Sequence, residues 1–249
     1  ADTMKYYLFS FFPPVIGLGT NLYYSIVDMS LDNGYGDVTQ KNILLNSSYY
    51  FTEKSQIVQH GNGRDWWLIT HEGYSNNNKF IKYLITPSGI FGPYLQSIGS
   101  TINSVDNIGQ MKISTSGNKL VLIGSGGVFN IFDFNRCTGL LSNLINLSLL
   151  NPTSDQYGCA FSRNDQVLYV AKLDSLLQYD LTAANIANSK QLLMVKSVNC
   201  YFGQLQLAPD DKIYMATYCG SSLPNNVFTT ENMNLTVINN PDLYGPGCN

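Results

Sequence analysis

A repeat of roughly 45 residues is the feature that most constrains how this chain folds. The segment Ile108–Ser114 returns 94 positions later as Phe202–Ala208, and a related segment, Tyr157–Asp165, lies between them. Each copy leads into a polar turn and a second apolar strand. Repeats of this kind stack on their neighbours, because each buries its apolar face only against the next. The repeat length is typical of a four-stranded β-propeller blade.

The rest of the chain alternates apolar and polar residues, and clusters of Gly, Asn, Asp and Ser separate the segments. This period of two predicts strands, with one weak helical pattern near Ala183–Leu193. The sequence therefore predicts an all-β fold, a β-propeller of four-stranded antiparallel blades, with about five blades or part-blades of a larger, seven-blade type of ring. It forms one domain over 1–249, with these units: a part-blade at 4–47 and blades at about 55–98, 108–149, 157–197 and 202–249.

The two ends of the chain do not complement each other within one blade. A propeller closes by such pairing because an open ring exposes a strand edge. We therefore expect a fragment of a larger ring, with an open blade edge available for pairing.

Composition excludes two classes of partner. Charged residues make up 12% of the chain, and 27 Asn and 17 Tyr supply much of the polar surface instead. The 14 Lys and Arg are dispersed and the net charge is −3, so no basic stripe for nucleic acid is predicted. The apolar stretches are far shorter than the roughly 20 residues that span a bilayer, so no membrane insertion is predicted.

Asn62–Asp65, followed by two tryptophans, is the most suggestive polar cluster. A guanidinium beside aromatic rings favours ligand binding. The candidate ligand-binding residues are Arg64, Asp65, Trp66 and His71. The alternative is structural: Asn62–Gly63 is a two-residue hairpin loop, and Asp65 bonds to turn amides.

Strand alternation places one of Trp66 and Trp67 in the core and the other on the opposite face, and we expect Trp67 to be the buried one. His60 faces Asp65 across the loop, where a hydrogen bond between the two is its simplest use. His71 lies six positions beyond Asp65, about 20 Å along the strand. The two histidines are therefore not expected to share a metal.

No catalytic residues are predicted. Ser125 lies among glycines, but Ile123 stands where a Gly-x-Ser-x-Gly elbow needs its first glycine. The Asp32–Asp37 stretch resembles a calcium loop but lacks the glutamate and spacing of an EF-hand, so a Gly-rich turn is favoured.

The five cysteines form no CxxC pair, and only two histidines could join them, so no metal site or cofactor is predicted. Cys200 and Cys219 lie almost symmetrically about the turn Pro209–Lys212, which predicts a disulfide across one hairpin. A bridge between Cys137 and Cys159 is the weaker prediction.

Four stretches resemble the WD-repeat-like propellers of large extracellular proteins in gliding and biofilm-forming bacteria that use the type IX secretion system: Tyr23–Met29, Gly63–Trp67, Phe132–Gly139 and Leu207–Tyr214. The stretch Val237–Asp242 fits the same family. The resemblance implies an exported propeller, extracellular or on the bacterial cell surface, followed by immunoglobulin-like modules and a sorting domain. The first blade, the closing segment and the sorting domain of that family have no counterpart in this sequence.

These observations favour a binding or scaffold module whose loops or channel hold a protein or glycan partner, and not an enzyme. The alternative is a propeller enzyme of the lactonase or glycan-lyase type. A convergence of titratable groups or a metal at the channel mouth would favour that alternative.

Overall fold

The computed structural model describes residues 4–12, 20–73, 76–148, 155–196, 199–220 and 229–248. It contains 62% strand and 5% helix, which confirms the all-β prediction. The helical residues described are all short 3-10 turns. In the predicted weak helix near Ala183–Leu193, one such turn at Ala187–Ser189 leads directly into a strand.

Four antiparallel sheets form a four-blade propeller. The first sheet has the order β1 (Lys5–Phe12), β2 (Thr20–Asp28), β3 (Asp37–Gln59), β4 (Trp66–Glu72), β5 (Asn77–Thr86), β6 (Gly89–Ile102). The second contains β7 (Gly109–Ile113), β8 (Lys119–Gly124), β9 (Phe129–Asn135), β10 (Leu140–Asn146). The third contains β11 (Gln156–Phe161), β12 (Val167–Lys172), β13 (Ser175–Asp180), β14 (Gln191–Val195). The fourth contains β15 (Cys200–Leu207), β16 (Ile213–Cys219), β17 (Thr236–Ile238).

The sequence repeat corresponds to one hairpin geometry that occurs in every sheet. These turns begin at His60, Ser114, Ser162 and Ala208. In each one, the backbone N–H of the first residue donates to the carbonyl four or five positions later. The carbonyl of the first residue accepts the N–H of the residue three positions later. That third residue has a left-handed backbone: Gly63 (φ 71°), Gly117 (φ 76°), Asp165 (φ 60°), Asp211 (φ 62°). Gly and Asp tolerate this conformation, which explains the turn residues of the repeat. The predicted two-residue loop Asn62–Gly63 is wrong, because the turn occupies 61–64.

The inner strand of each blade faces a common axis. Contacts between neighbouring sheets join β3 to β7, β7 to β11 and β11 to β15. The last pair approaches so closely that a Cβ on Gly158 would lie 2.2 Å from the Gly203 carbonyl oxygen. Only glycine fits there. Within the described part of the chain, no strand of the first sheet contacts the fourth sheet extensively, and pairing at an open blade edge stays a prediction.

The first sheet combines two of the predicted units. Strand β3 runs for 23 residues and passes from the predicted part-blade into the next blade without a break. At Phe51 it pairs with Thr20 on one side and Glu72 on the other. The three strands of the part-blade still pack as a layer on the blade that follows, through an apolar cluster that includes Leu22, Phe51, Leu68, Ile81 and Tyr83. The unbroken β3 is why four sheets appear where five units were predicted.

The first and second sheets enclose a core around Trp67, which is 4% exposed, whereas Trp66 is 42% exposed. The Trp67 indole Nε1 donates to the Arg136 carbonyl at 2.9 Å. Gly139, at φ 70°, lies against the ring, where a Cβ would come within 2.8 Å of Cζ2. The predicted division of the two tryptophans between core and opposite face is confirmed.

Candidate functional site at the channel mouth

A cavity of about 280 Å³ opens on the axis, where the inner strands of all four sheets end. Its lining residues come from β3, β7, β11 and β15 and from the turn after β7: Gln56, Lys112, Ile113, Thr115, Ala160, Phe161, Gln206 and Leu207. Concave sites with a few convergent polar groups on an apolar wall are typical of ligand pockets. Half of the lining residues here are apolar, and the polar groups are two amides, a hydroxyl and one ammonium.

Among the described residues that line this cavity, Lys112 alone has a titratable side chain. Its Nζ donates to Gln206 Oε1 at 2.6 Å. In the described residues, no carboxylate lies within ion-pair distance of this ammonium group. Burial lowers the pKa of Lys112 below its usual value. A partly buried cation whose lost hydration no counter-ion replaces is suited to an anionic ligand.

Gln110 closes the channel beneath Lys112, two positions earlier on the same face of β7. Its Oε1 accepts the Cys159 N–H at 2.7 Å, and its Nε2 donates to the Leu205 carbonyl at 3.4 Å. The amide thus connects three inner strands across the axis. Gln110 is 7% exposed and bonded at both ends of its amide, so it forms the floor of the site, and Lys112 above it is the group that can meet a ligand.

A second cavity of about 320 Å³ continues outward from the axis. It shares Gln56, Ile113 and Thr115 with the first cavity, so the two form one groove. The exposed Trp66 and the Arg136 side chain line its outer part.

Of the residues predicted from sequence, Arg64 and Asp65 bond to each other. The guanidinium holds the carboxylate through Nε–Oδ1 at 2.8 Å and a second bond to Oδ2 at 3.1 Å. Asn62 Nδ2 also donates to Asp65 Oδ2 at 2.8 Å, and together these bonds, that of Arg64 first, lower the pKa of Asp65 to about 2. Both charges are therefore used within the turn, through bonds between side chains.

Trp66 lines the groove, but His71 does not join it. His71 is fully buried in β4, five positions from Trp66, and its ring meets Phe80 edge-on at 4.7 Å. Burial lowers its pKa to about 4, so the imidazole is neutral at pH 7. The ligand-binding role assigned to these residues stays a prediction.

His60 differs from its predicted use. Its backbone N–H bonds to the Asp65 carbonyl at 2.8 Å, so the two residues do face each other. The imidazole instead pairs Nε2 with the Cys137 carbonyl at 2.9 Å and accepts the Asn62 N–H at Nδ1. The side chain thus joins the first sheet to the second.

The disulfide between Cys200 and Cys219 is present, with a Cα–Cα distance of 4.1 Å. The weaker prediction, a bridge between Cys137 and Cys159, is wrong: both are free thiols, the first exposed in the turn after β9 and the second buried in β11. Burial raises the pKa of the Cys159 thiol to about 12. Where the structure describes the chain, the one cluster with metal-ligand spacing is Cys200, Cys219 and Glu231, and its two sulfurs are bonded to each other.

Sequence reasoning missed Lys112, Gln206 and Gln56. A signal was present, because Lys112 and Gln206 are 94 positions apart, the same offset that relates the two copies of the repeat. Equivalent positions on inner strands face the same axis. Two long polar side chains at one repeat position, amid apolar neighbours, therefore indicate the channel.

The sequence matches no protein-family model and no curated protein. Solved structures do resemble the fold. A putative 6-phosphogluconolactonase from Bacteroides uniformis has a TM-score of 0.53 at 10% identity, over 88% of this chain and 70% of that one. A putative 6-phosphogluconolactonase from Bacteroides fragilis has a TM-score of 0.53 at 11% identity, over 88% and 69%.

A WD-like propeller that resembles the fold is the Cps50 (Swd1) β-propeller domain from Myceliophteria thermophila. It has a TM-score of 0.50 at 14% identity, over 80% of this chain and 61% of that one. At such identities the likeness shows a β-propeller fold. In the described residues, no helix has the length and apolar character needed to cross a membrane.

Proposed function

We propose that this propeller is a binding module that holds an anionic saccharide at the axial cavity. The observation that carries the proposal is Lys112, a partly buried ammonium that bonds to Gln206 and has no acidic partner in the described residues. The amides of Gln56 and Gln206 each use one N–H on a backbone carbonyl, of Ser55 and Leu207 respectively. Each amide has a second N–H and a second oxygen lone pair for a ligand hydroxyl. An anionic sugar combines both needs, a negative charge and several hydroxyls. A protein partner would more often meet a flat surface than a concave cavity of this size.

A titration with sodium galacturonate and with galactose tests this proposal. We expect the wild type to bind the uronate and not the neutral sugar, and the affinity to fall as salt rises. Lys112→Gln should weaken uronate binding at least about tenfold, because it removes the charge but keeps the hydrogen-bonding length. Lys41→Gln, at an exposed position of β3, is the matched control and should bind as the wild type does. Equal affinity of wild type and Lys112→Gln for galacturonate would contradict the proposal.

We further propose that the module is exported, displayed at the cell surface, and related to the type IX secretion-associated propellers that the sequence resembles. The Cys200–Cys219 disulfide supports export, since such bonds persist mainly in oxidising compartments. Peptide mass mapping without reductant, on protein from the cells that make it, should recover the two cysteines as one linked pair. Free thiols at both positions would count against export.

The alternative is an enzyme of the lactonase or glycan-lyase type. Its support is the similarity in fold to the two putative 6-phosphogluconolactonases. The cavity offers Lys112 as its one titratable lining residue, so a paired acid and base is missing from its described wall. Turnover of a sugar lactone, or release of an unsaturated sugar from an acidic glycan, would favour this alternative over binding.

A further inference from the structure

The groove that extends from the axial cavity is lined by groups from two sheets. On one side lie Gln59 and Trp66 of the first sheet, and on the other lie Ser116 and Arg136 of the second. From Gln56, which lines both cavities, to Gln59 is about 10 Å along β3. The groove thus continues well beyond the space that one sugar ring at Lys112 would fill.

Trp66 offers an aromatic platform in this outer part. It pairs with Gln59 on β3 and Ile85 on β5, which fixes the backbone beneath the ring. The next residue, Trp67, takes the core position, so alternation forces Trp66 outward, where it is 42% exposed. An exposed indole held by strands on both sides suits the apolar C–H face of a sugar ring.

Arg136 provides a second cation. Its carbonyl accepts bonds from Trp67 Nε1 and from the Gly61 N–H, so the backbone of the turn is fixed from the neighbouring sheet. Its side chain packs beside Gly117, where a Cβ would lie 2.6 Å from Arg136 Cδ. As with Lys112, no ion pair joins Arg136 to a carboxylate in the described residues.

One acidic side chain bonds to the turn that lines the groove. Asp165, in the turn of the third sheet, accepts the N–H groups of Thr115 and Ser116 at 2.7 and 2.9 Å. These two bonds hold the turn that forms the groove wall. The groove therefore presents Lys112 at its inner part, Trp66 and Arg136 at its outer part, and amides between them.

We propose that the ligand is a linear acidic oligosaccharide, bound with one acidic residue at Lys112 and the following residues over Trp66 and Arg136. This inference rests on the proposed function, because it takes the axial cavity as the inner subsite. It adds a chain-length requirement and a second charged subsite. Cations at both ends favour an oligomer with an acidic group on successive sugars over a neutral glycan with one acidic end.

Isothermal titration of galacturonate and of a linear tetragalacturonate against wild type and three variants tests this inference. We expect the wild type to bind the tetramer at least about tenfold more tightly than the monomer. Trp66→Ala should remove most of that gain and leave galacturonate affinity unchanged, whereas Trp66→Phe should keep part of it. Arg136→Gln should weaken the tetramer alone and reduce the salt dependence of its binding.

Tyr6→Ala is the matched control for aromatic truncation, because Tyr6 is 57% exposed on β1, away from the groove. It should bind both probes as the wild type does. If the tetramer binds no better than galacturonate, or if Trp66→Ala and Arg136→Gln leave tetramer affinity unchanged, the extended site is wrong while the axial site stands. If neither probe binds the wild type, both proposals fail.

Discussion

Two regions of this propeller contain the same residue types in opposite roles. Between the first and second sheets, Trp67 and Lys82 are buried at 4% and 2% exposure. Both donate to backbone carbonyls of one turn, Trp67 to Arg136 and Lys82 to Gly139. At the channel mouth, Trp66 and Lys112 line a groove, and Lys112 meets only an amide oxygen.

The difference lies in what satisfies the polar end of each side chain. A buried N–H or ammonium that finds carbonyl oxygens completes a core, because the protein replaces the water it has lost. Lys82 has two such acceptors, the Gly139 carbonyl and Gln96 Oε1, the latter at 2.7 Å. Lys112 has one, and the cavity beside it leaves room for more. Residue type alone therefore does not separate structural from binding roles here.

Truncation of each tryptophan should give the largest difference in stability between the two regions. Trp67→Ala should lower the free energy of unfolding by about 3–5 kcal/mol, the usual cost of removing a buried aromatic side chain. It also leaves the Arg136 carbonyl without the indole donor. Trp66→Ala, at an exposed position, should cost about 1 kcal/mol or less. Urea unfolding of both variants measures the two effects.

If Trp67→Ala and Trp66→Ala lower the free energy of unfolding equally, the contrast between a core tryptophan and a groove tryptophan is wrong. A Trp67→Ala protein that melts as the wild type does but no longer binds tetragalacturonate would transfer the binding role to the core position. Equal losses of stability would mean that Trp66 contributes to packing that its exposure does not reveal.

Strand alternation predicted the sheet, and the repeat predicted the blades, because both are local patterns read along one strand or one hairpin. The same local geometry predicted the disulfide, since Cys200 and Cys219 are opposite each other in the register of β15 and β16. Asp65 was predicted to bind a ligand because it is a carboxylate next to an arginine and two tryptophans. In the structure, that carboxylate instead accepts hydrogen bonds from Asn62 and Arg64 within the turn.

Local sequence patterns could not predict the groove, because its walls come from different blades. Trp66 and Arg136 are 70 positions apart, and Lys112 reaches Gln206 across the axis. Such contacts exist only when the sheets are arranged around the axis. The burial of Lys82 is likewise invisible in sequence, since its acceptor at Gly139 belongs to the next sheet.

A smaller difference between the two regions is expected in how the lysine of each affects stability as pH changes. Burial lowers the pKa of Lys82 from an ordinary value of 10.5 to about 8. Between these values the unfolded chain binds a proton at Lys82 and the folded protein does not, so this residue makes the fold more stable as pH rises from about 8 to 10.5. The full difference is at most about 3–4 kcal/mol, since each pKa unit corresponds to about 1.4 kcal/mol. Below pH 8 the lysine is charged in both states and this gain is lost.

We therefore expect the free energy of unfolding of the wild type, relative to Lys82→Met, to increase between about pH 7.5 and 10.5. Urea unfolding at three or four pH values measures the difference. Tyrosine ionisation affects both proteins equally and cancels. Lys112→Met is the matched control: burial lowers the pKa of Lys112 as well, but this side chain is only partly buried whereas Lys82 is 2% exposed, so we expect its slope against the wild type to be shallower. Equal slopes for the two variants would show that the ammonium groups of Lys82 and Lys112 are equally desolvated, and the contrast between a sealed core and an open channel mouth would not hold for the lysines.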